Sequence, residues 1–231
     1  MAHQKKRENV FLSLLFNIAA PVLIMTKLSS NTALGPVYGL VVALAFPIVY
    51  ALYDFITRSN VNIISILGFT SILLTGVFGL FELSPMWIAV KEASVPLIIG
   101  LIVLFTIGTE KNLVTKILFN EDIMDLSKVH KALDENQKND EFKQLVVKSS
   151  YWVAASFFLS SVLNFVLARI VLTSPPGTTA YVEELGRMNA LSFPVIALPS
   201  TAILIFVLFN IFKHIKRLTG YSIEDIMVTK K

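Results

Sequence analysis

Long apolar runs separated by short polar interruptions divide this chain into six stretches, each long enough to cross a bilayer. The clearest runs over residues 86–108, where only Lys91 and Glu92 are charged; about 20 apolar residues suffice to cross a ~30 Å hydrocarbon core. Trp87 stands at its start, where an amphipathic ring favours the membrane interface, and Glu110, Lys111 and Lys116 mark its exit from lipid. The other runs cover residues 10–28, 34–57, 62–80, 149–172 and 190–212. The first holds Asn17 and Pro21, is too long for the apolar core of a signal peptide and lacks an A-x-A site after it, so an uncleaved span is expected. The second opens on Gly35 and Pro36 and closes on Asp54 and Arg58, an i, i+4 pair suited to anchoring a helix end at the interface. Between the last two, TSPPGTTAYVEELGRMN contains the turn formers Pro175, Pro176 and Gly177 and is expected to be a short loop. The pattern predicts an all-α polytopic membrane protein, a single domain over residues 1–231 with six kinked transmembrane helices.

One polar segment, residues 110–148, is long enough to hold structure of its own, with seven Lys against eight acidic residues. Within it Ile123, Leu126, Val129 and Leu133 recur at three- and four-residue spacing, which places them on one face of a short helix. Such a stripe packs on the protein's own ends or on headgroups, or else is a partner-docking face. The net charge of −1 over the segment argues against a polybasic lipid anchor.

Composition agrees with the pattern: 55% apolar residues, 16% charged and a mean hydropathy of +0.69 exclude an ordinary soluble domain. The formal charge of +4 does not point to nucleic acid, because the basic residues sit in short groups beside apolar runs, where they orient the chain. With the N-terminus in the cytoplasm, 16 Lys and Arg lie on the inner side; only Lys27, Lys91, Arg169 and Arg187 lie in the outer half. That bias predicts an N-in, C-in arrangement. The absence of cysteine excludes disulfides, thiolate nucleophiles and Cys-ligated metals.

Candidate chemistry is confined to the spans. Pro21, Pro47, Pro96, Pro194 and Pro199 fall inside predicted spans, where each removes a backbone hydrogen bond and kinks the helix. Gly76 and Gly79, with Ser71 and Thr75, mark close helix packing. Lys91 and Glu92 lie on the order of 8 Å outward of the middle of their span at 1.5 Å rise per residue. A charge at a helix centre costs about 2.5 to 3.5 kcal/mol, so both need partners. The expected arrangement pairs Glu92 with Arg169 and lets Lys91 snorkel toward Glu82 or Glu183. Asn17 and Asn164 lie nearer mid-membrane, where an amide seeks an interhelical partner. A polar site or ion pair formed among Lys91, Glu92, Arg169, Asn164 and Asn17 is therefore the candidate. His3, His130 and His214 have no neighbours at metal-ligand spacing, and no phosphate loop, nucleophile elbow or H-E-x-x-H is present. No catalytic residue, metal or cofactor is expected.

Three stretches carry a family resemblance: Lys91 to Gly100, EKNLVTKILF (Glu110 to Phe119), and FFLSSVLNFVLA with Asn164. Over roughly residues 40–120 and 149–217 the chain resembles the bacterial intracellular septation protein A family of inner-membrane-spanning proteins. It differs in having Asn112 where that family tends to have proline, and in a longer charged loop and tail. The resemblance implies a multi-pass protein of the bacterial cytoplasmic membrane connected with septation or cell-envelope biogenesis. The expected function is a non-enzymatic membrane scaffold, the alternative a small-solute or ion transporter. The partners implied are the lipid bilayer, other envelope or division membrane proteins and further copies of the chain, and no nucleic acid.

Overall fold

The computed structural model describes residues 12, 14–58, 63–119 and 124–227, and its elements are helical. In chain order they are α1 (Leu15–Leu28, alternating π and α turns), α2 (Gly35–Arg58), α3 (Ile63–Leu80), α4 (Pro85–Phe105), α5 (Leu113–Leu118), α6 (Leu126–Glu135), α7 (Asn139–Val171), α8 (Thr179–Ser192), a π turn at Phe193–Ala197, α9 (Leu198–Thr219) and α10 (Ile223–Ile226). Among the described residues there is no strand, only an isolated bridge between Met124 and Met227. Four stretches are long and apolar enough to cross a membrane: Gly35–Tyr53, Pro85–Phe105, Asn139–Val171 and Thr179–Thr219; Leu15–Leu28 is a shorter apolar helix. The chain is built as an all-helical membrane-spanning protein.

One expectation is corrected. Residues 173–189 are not a loop, because helix resumes at Thr178, whose hydroxyl accepts from the Tyr181 amide at 3.2 Å and caps α8. Tyr181, Val182, Leu185 and Met188 repeat at helical spacing and are buried. The segment 110–148 contains α5, α6 and the first turns of α7, and the short helix expected from the spacing of Leu126, Val129 and Leu133 is α6.

The chain divides into two compact units, residues 1–95 with 162–196 and residues 96–161 with 197–231. The core of the first gathers Met25, Leu40, Ala43, Ile88, Ala89, Ala168, Leu172, Tyr181 and Leu185. Small residues set how closely its helices approach. A Cβ on Gly76 would lie 3.0 Å from Leu44 Cδ1, and one on Gly79 would collide with Leu40, so α3 lies against α2 through bare backbone. A Cβ on Gly186 of α8 would come within 2.7 Å of Met25 Cβ in α1. Within α1, Pro21 stands between the π turns Leu15–Ala19 and Ile24–Leu28; Pro194 lies inside the third π turn. A wide turn accommodates a ring that cannot donate to the helical ladder.

The second unit has a core of Val129, Leu133, Leu145, Val207, Ile211, Ile215, Leu218 and Ile226. Asn112 caps α5: its Oδ1 accepts from the amides of Val114 at 2.9 Å and Thr115 at 3.2 Å, while its Nδ2 donates to Ser150 Oγ at 3.1 Å in α7. Asn112 and Ser150 are both buried. Gly220, in the left-handed region at φ 79°, ends α9 and turns the tail back. The tail then closes on α6: the Asp125 amide donates to the Ile226 carbonyl at 2.7 Å, Lys128 Nζ donates to the Asp225 carbonyl at 2.9 Å, and the same ammonium lies 4.4 Å from the centre of the Tyr221 ring.

Two carboxylates punctuate that closure. Asp125 accepts from the Lys128 amide and Ser127 hydroxyl, and Asp225 from the hydroxyl and amide of Ser222; these bonds hold both carboxyls below their usual 3.8. Groups lowered in this way stabilise the fold above their unfolded pKa and lose that contribution as pH falls through the folded value. The chain has no cysteine. Spin labels on His130→Cys and Glu224→Cys should therefore report one narrow distance at pH 7, broadening only as pH drops below about 3.8. In detergent melts, Gly79→Val should cost ~1–3 kcal/mol by forcing a side chain into Leu40. Val77→Leu, on an exposed position of the same helix, should leave the melt unchanged.

Candidate functional site

An ammonium inside an apolar helix must find acceptors within the protein or reach headgroups. In α4, Ile88 and Ala89 are fully buried, and Lys91 follows one turn later on the same packed side with 8% of its surface exposed. Its Nζ donates to Thr75 Oγ1 of α3 at 2.6 Å and forms an ion pair with Glu92 Oε1 at 2.7 Å. The two charges cancel locally. Glu92 is the wetter member, with a side chain 25% exposed against 7% for Lys91. Ser94 Oγ turns back to the Lys91 carbonyl at 2.7 Å, so that hydroxyl is satisfied within its own helix.

Neighbouring side chains on a helix leave about 100° apart, which favours separate partners for Lys91 and Glu92. The structure brings them together instead, because both side chains are long enough to curl around the helix. The expected pairing is thus corrected: Lys91 is buried rather than snorkelling, and among the described residues Glu92 has its ion pair with Lys91, while Arg169 is exposed. Asn164 is half-buried and Asn17 exposed, each with interactions of its own. Sequence reasoning missed Thr75 as the partner. Its signal was present, as a hydroxyl one residue before the close-packing Gly76, but it was read only as part of the packing surface.

The amphipathic stripe of the polar segment is also placed. Val129 and Leu133 are fully buried and Leu126 half-buried; Ile123 lies outside the described residues. The cover is α9 and the tail, through Ile211, Ile215, Leu218 and Ile226. The stripe is therefore internal packing, and the docking-face reading of these residues is not what the fold uses them for.

Glu184 of α8 is a further polar anchor that pattern reading did not single out. Its carboxylate accepts from the amides of Thr173 and Ser174, both at 2.9 Å, and from their hydroxyls at 2.9 and 2.7 Å. The Pro-Pro-Gly turn that leads into α8 is held by those four bonds. Among the described residues no three His, Cys, Asp or Glu come together to hold a metal ion. No family model, curated protein or solved structure matches the chain.

Removing one member of a buried pair strands the other. Glu92→Leu should lower stability by ~3 kcal/mol in detergent melts, because it removes the carboxylate paired with the buried Lys91 ammonium. Glu82→Leu, at an exposed turn position, should change the melt little. Equal melts for the two variants would remove the structural role assigned to the pair.

Proposed function

We propose that the chain is a non-enzymatic, multi-pass protein of the bacterial cytoplasmic membrane that acts as a scaffold in septation or envelope biogenesis. The observation that supports this reading is the closure of the ionisable pair: Lys91 is held by Glu92 and Thr75, so the charge within α4 is engaged by the protein rather than offered to a solute. The folded segment built by α5, α6 and the start of α7 fits the same reading, because a rigid polar body is what a scaffold presents to partners. The resemblance of residues 91–100, 110–119 and 157–168 to the septation protein A family points the same way.

In this reading the chain crosses the membrane six times, over residues 10–28, 34–57, 62–80, 86–108, 149–172 and 190–212, with both termini in the cytoplasm. The 110–148 segment is then cytoplasmic, and the turn before α8 faces outward. The distribution of Lys and Arg supports that orientation. Thr178 and Gln137 are both exposed, at the start of α8 and just after α6. A cysteine at Thr178 should react with an impermeant reagent applied to spheroplasts and one at Gln137 should be protected; the reverse pattern overturns the topology.

Function is tested in proteoliposomes and in cells. Purified protein should show no saturable solute uptake, and photo-crosslinkers at the exposed Lys131 and Lys143 should trap envelope or division membrane proteins. Saturable uptake abolished by Lys91→Met would overturn the scaffold in favour of a transporter.

A further inference from the structure

A cleft of about 320 Å³ opens between α7 and α9 within the second unit, and its lining changes character along its length. On α7 the lining passes from Glu141 through Lys148 to Trp152; on the antiparallel α9 it passes from Arg217 through His214 to Phe206. The charged ends and the aromatic ends coincide. Glu141 and Trp152 are separated by about 16 Å along α7 at 1.5 Å per residue. The change occurs where both helices leave their apolar runs, at Ser149 on α7 and Phe212 on α9. With residues 149–172 and 190–212 crossing the bilayer as proposed above, on which this inference rests, the cleft lies at the level of the lipid headgroups.

The charge in this cleft is not balanced by its own residues. Glu141 pairs closely with Lys138 and only loosely with Arg217, at 4.0 Å. Lys148 is exposed and has no ion pair among the described residues, and the Arg217 side chain is 67% exposed. His214 Nδ1 donates to the Asn210 carbonyl at 2.8 Å, so this ring is held against its own helix. Below these groups Trp152 and Phe206 meet edge to face at 6.3 Å, each 54% exposed. Two exposed cations set above a pair of exposed aromatic rings match a phosphate oxyanion that continues into acyl chains.

We propose that this cleft is a binding site for an anionic phospholipid. Lys148 and Arg217 hold the phosphate, with His214 beside them, and Trp152 and Phe206 pack against the upper acyl chain. A soluble phosphate could satisfy the cations but has nothing to place against the rings, which is why the lipid is assigned. The site is distinct from the stripe on α6, which is buried, and it does not depend on the scaffold reading.

The test uses Trp152 as its own reporter. Trp87 is the only other tryptophan, so Trp87→Phe leaves Trp152 alone. The full chain, in nanodiscs of phosphatidylcholine, is titrated with brominated phosphatidylglycerol or brominated phosphatidylcholine at equal mole fraction. Phosphatidylglycerol should quench Trp152 with an apparent affinity at least about fivefold higher, the weight of one basic residue against an anionic lipid. Lys148→Gln with Arg217→Gln should abolish the preference. Lys131→Gln with Lys143→Gln removes the same charge from positions 77% exposed outside the cleft and should leave the preference intact. Equal quenching by both lipids, or a preference that survives Lys148→Gln with Arg217→Gln, overturns the site. Displacement of the brominated lipid by millimolar inorganic phosphate reassigns the cleft to a soluble anion and overturns the lipid proposal.

Discussion

The bilayer allows no unsatisfied polar group, and the structure of this protein follows from how that constraint is met at one ammonium. Lys91 lies within α4, whose other charged residue is Glu92. It is kept there with Thr75 and Glu92 as partners at 2.6 and 2.7 Å. The bond from Lys91 to Thr75 ties α4 to α3. The approach of α3 to α2 is fixed in turn by Gly76 and Gly79, which have no side chain to hold Leu44 and Leu40 away. A polar interaction and a set of missing side chains thus specify the packing of the first unit together, where apolar contact alone would tolerate sliding because lipid tails are as apolar as leucine.

The second unit solves a different problem, since much of it is polar and must fold against water. It does so with the ordinary means of a soluble domain: a buried cap at Asn112 that bonds Ser150, a left-handed stop at Gly220, and a tail whose Ile226 fills the core beside Val129 and Leu133. α7 runs as one continuous helix from its polar start to its apolar end.

Most of the helices were legible in the sequence, because runs such as 34–57 and 86–108 are long, apolar and bounded by charge. They coincide closely with α2 and α4. What was not legible came from features with mixed signals. Residues 179–189 carry Tyr181, Val182, Leu185 and Met188 at helical spacing, but Glu183, Glu184 and Arg187 interleave with them and Pro-Pro-Gly precedes them, so the segment read as a loop. The tail is too short to show a period, and its role emerges only once Gly220 has folded it back. For the site, the importance of Lys91 and Glu92 was readable from their cost in lipid. Their mutual pairing was not, since rotamers of long side chains are settled by the surroundings and not by spacing. Thr75 was visible only as a small residue in a packed face.

The central claim is that Lys91 and Glu92 form one interacting unit inside the first half of the protein. A double-mutant cycle measures that most directly: Lys91→Met, Glu92→Leu and the double variant, each unfolded reversibly in detergent. The account predicts a coupling energy of about 1 to 3 kcal/mol, with the double variant more stable than Glu92→Leu alone. Effects that add to within about 0.5 kcal/mol would mean that the two residues act independently, and would contradict it.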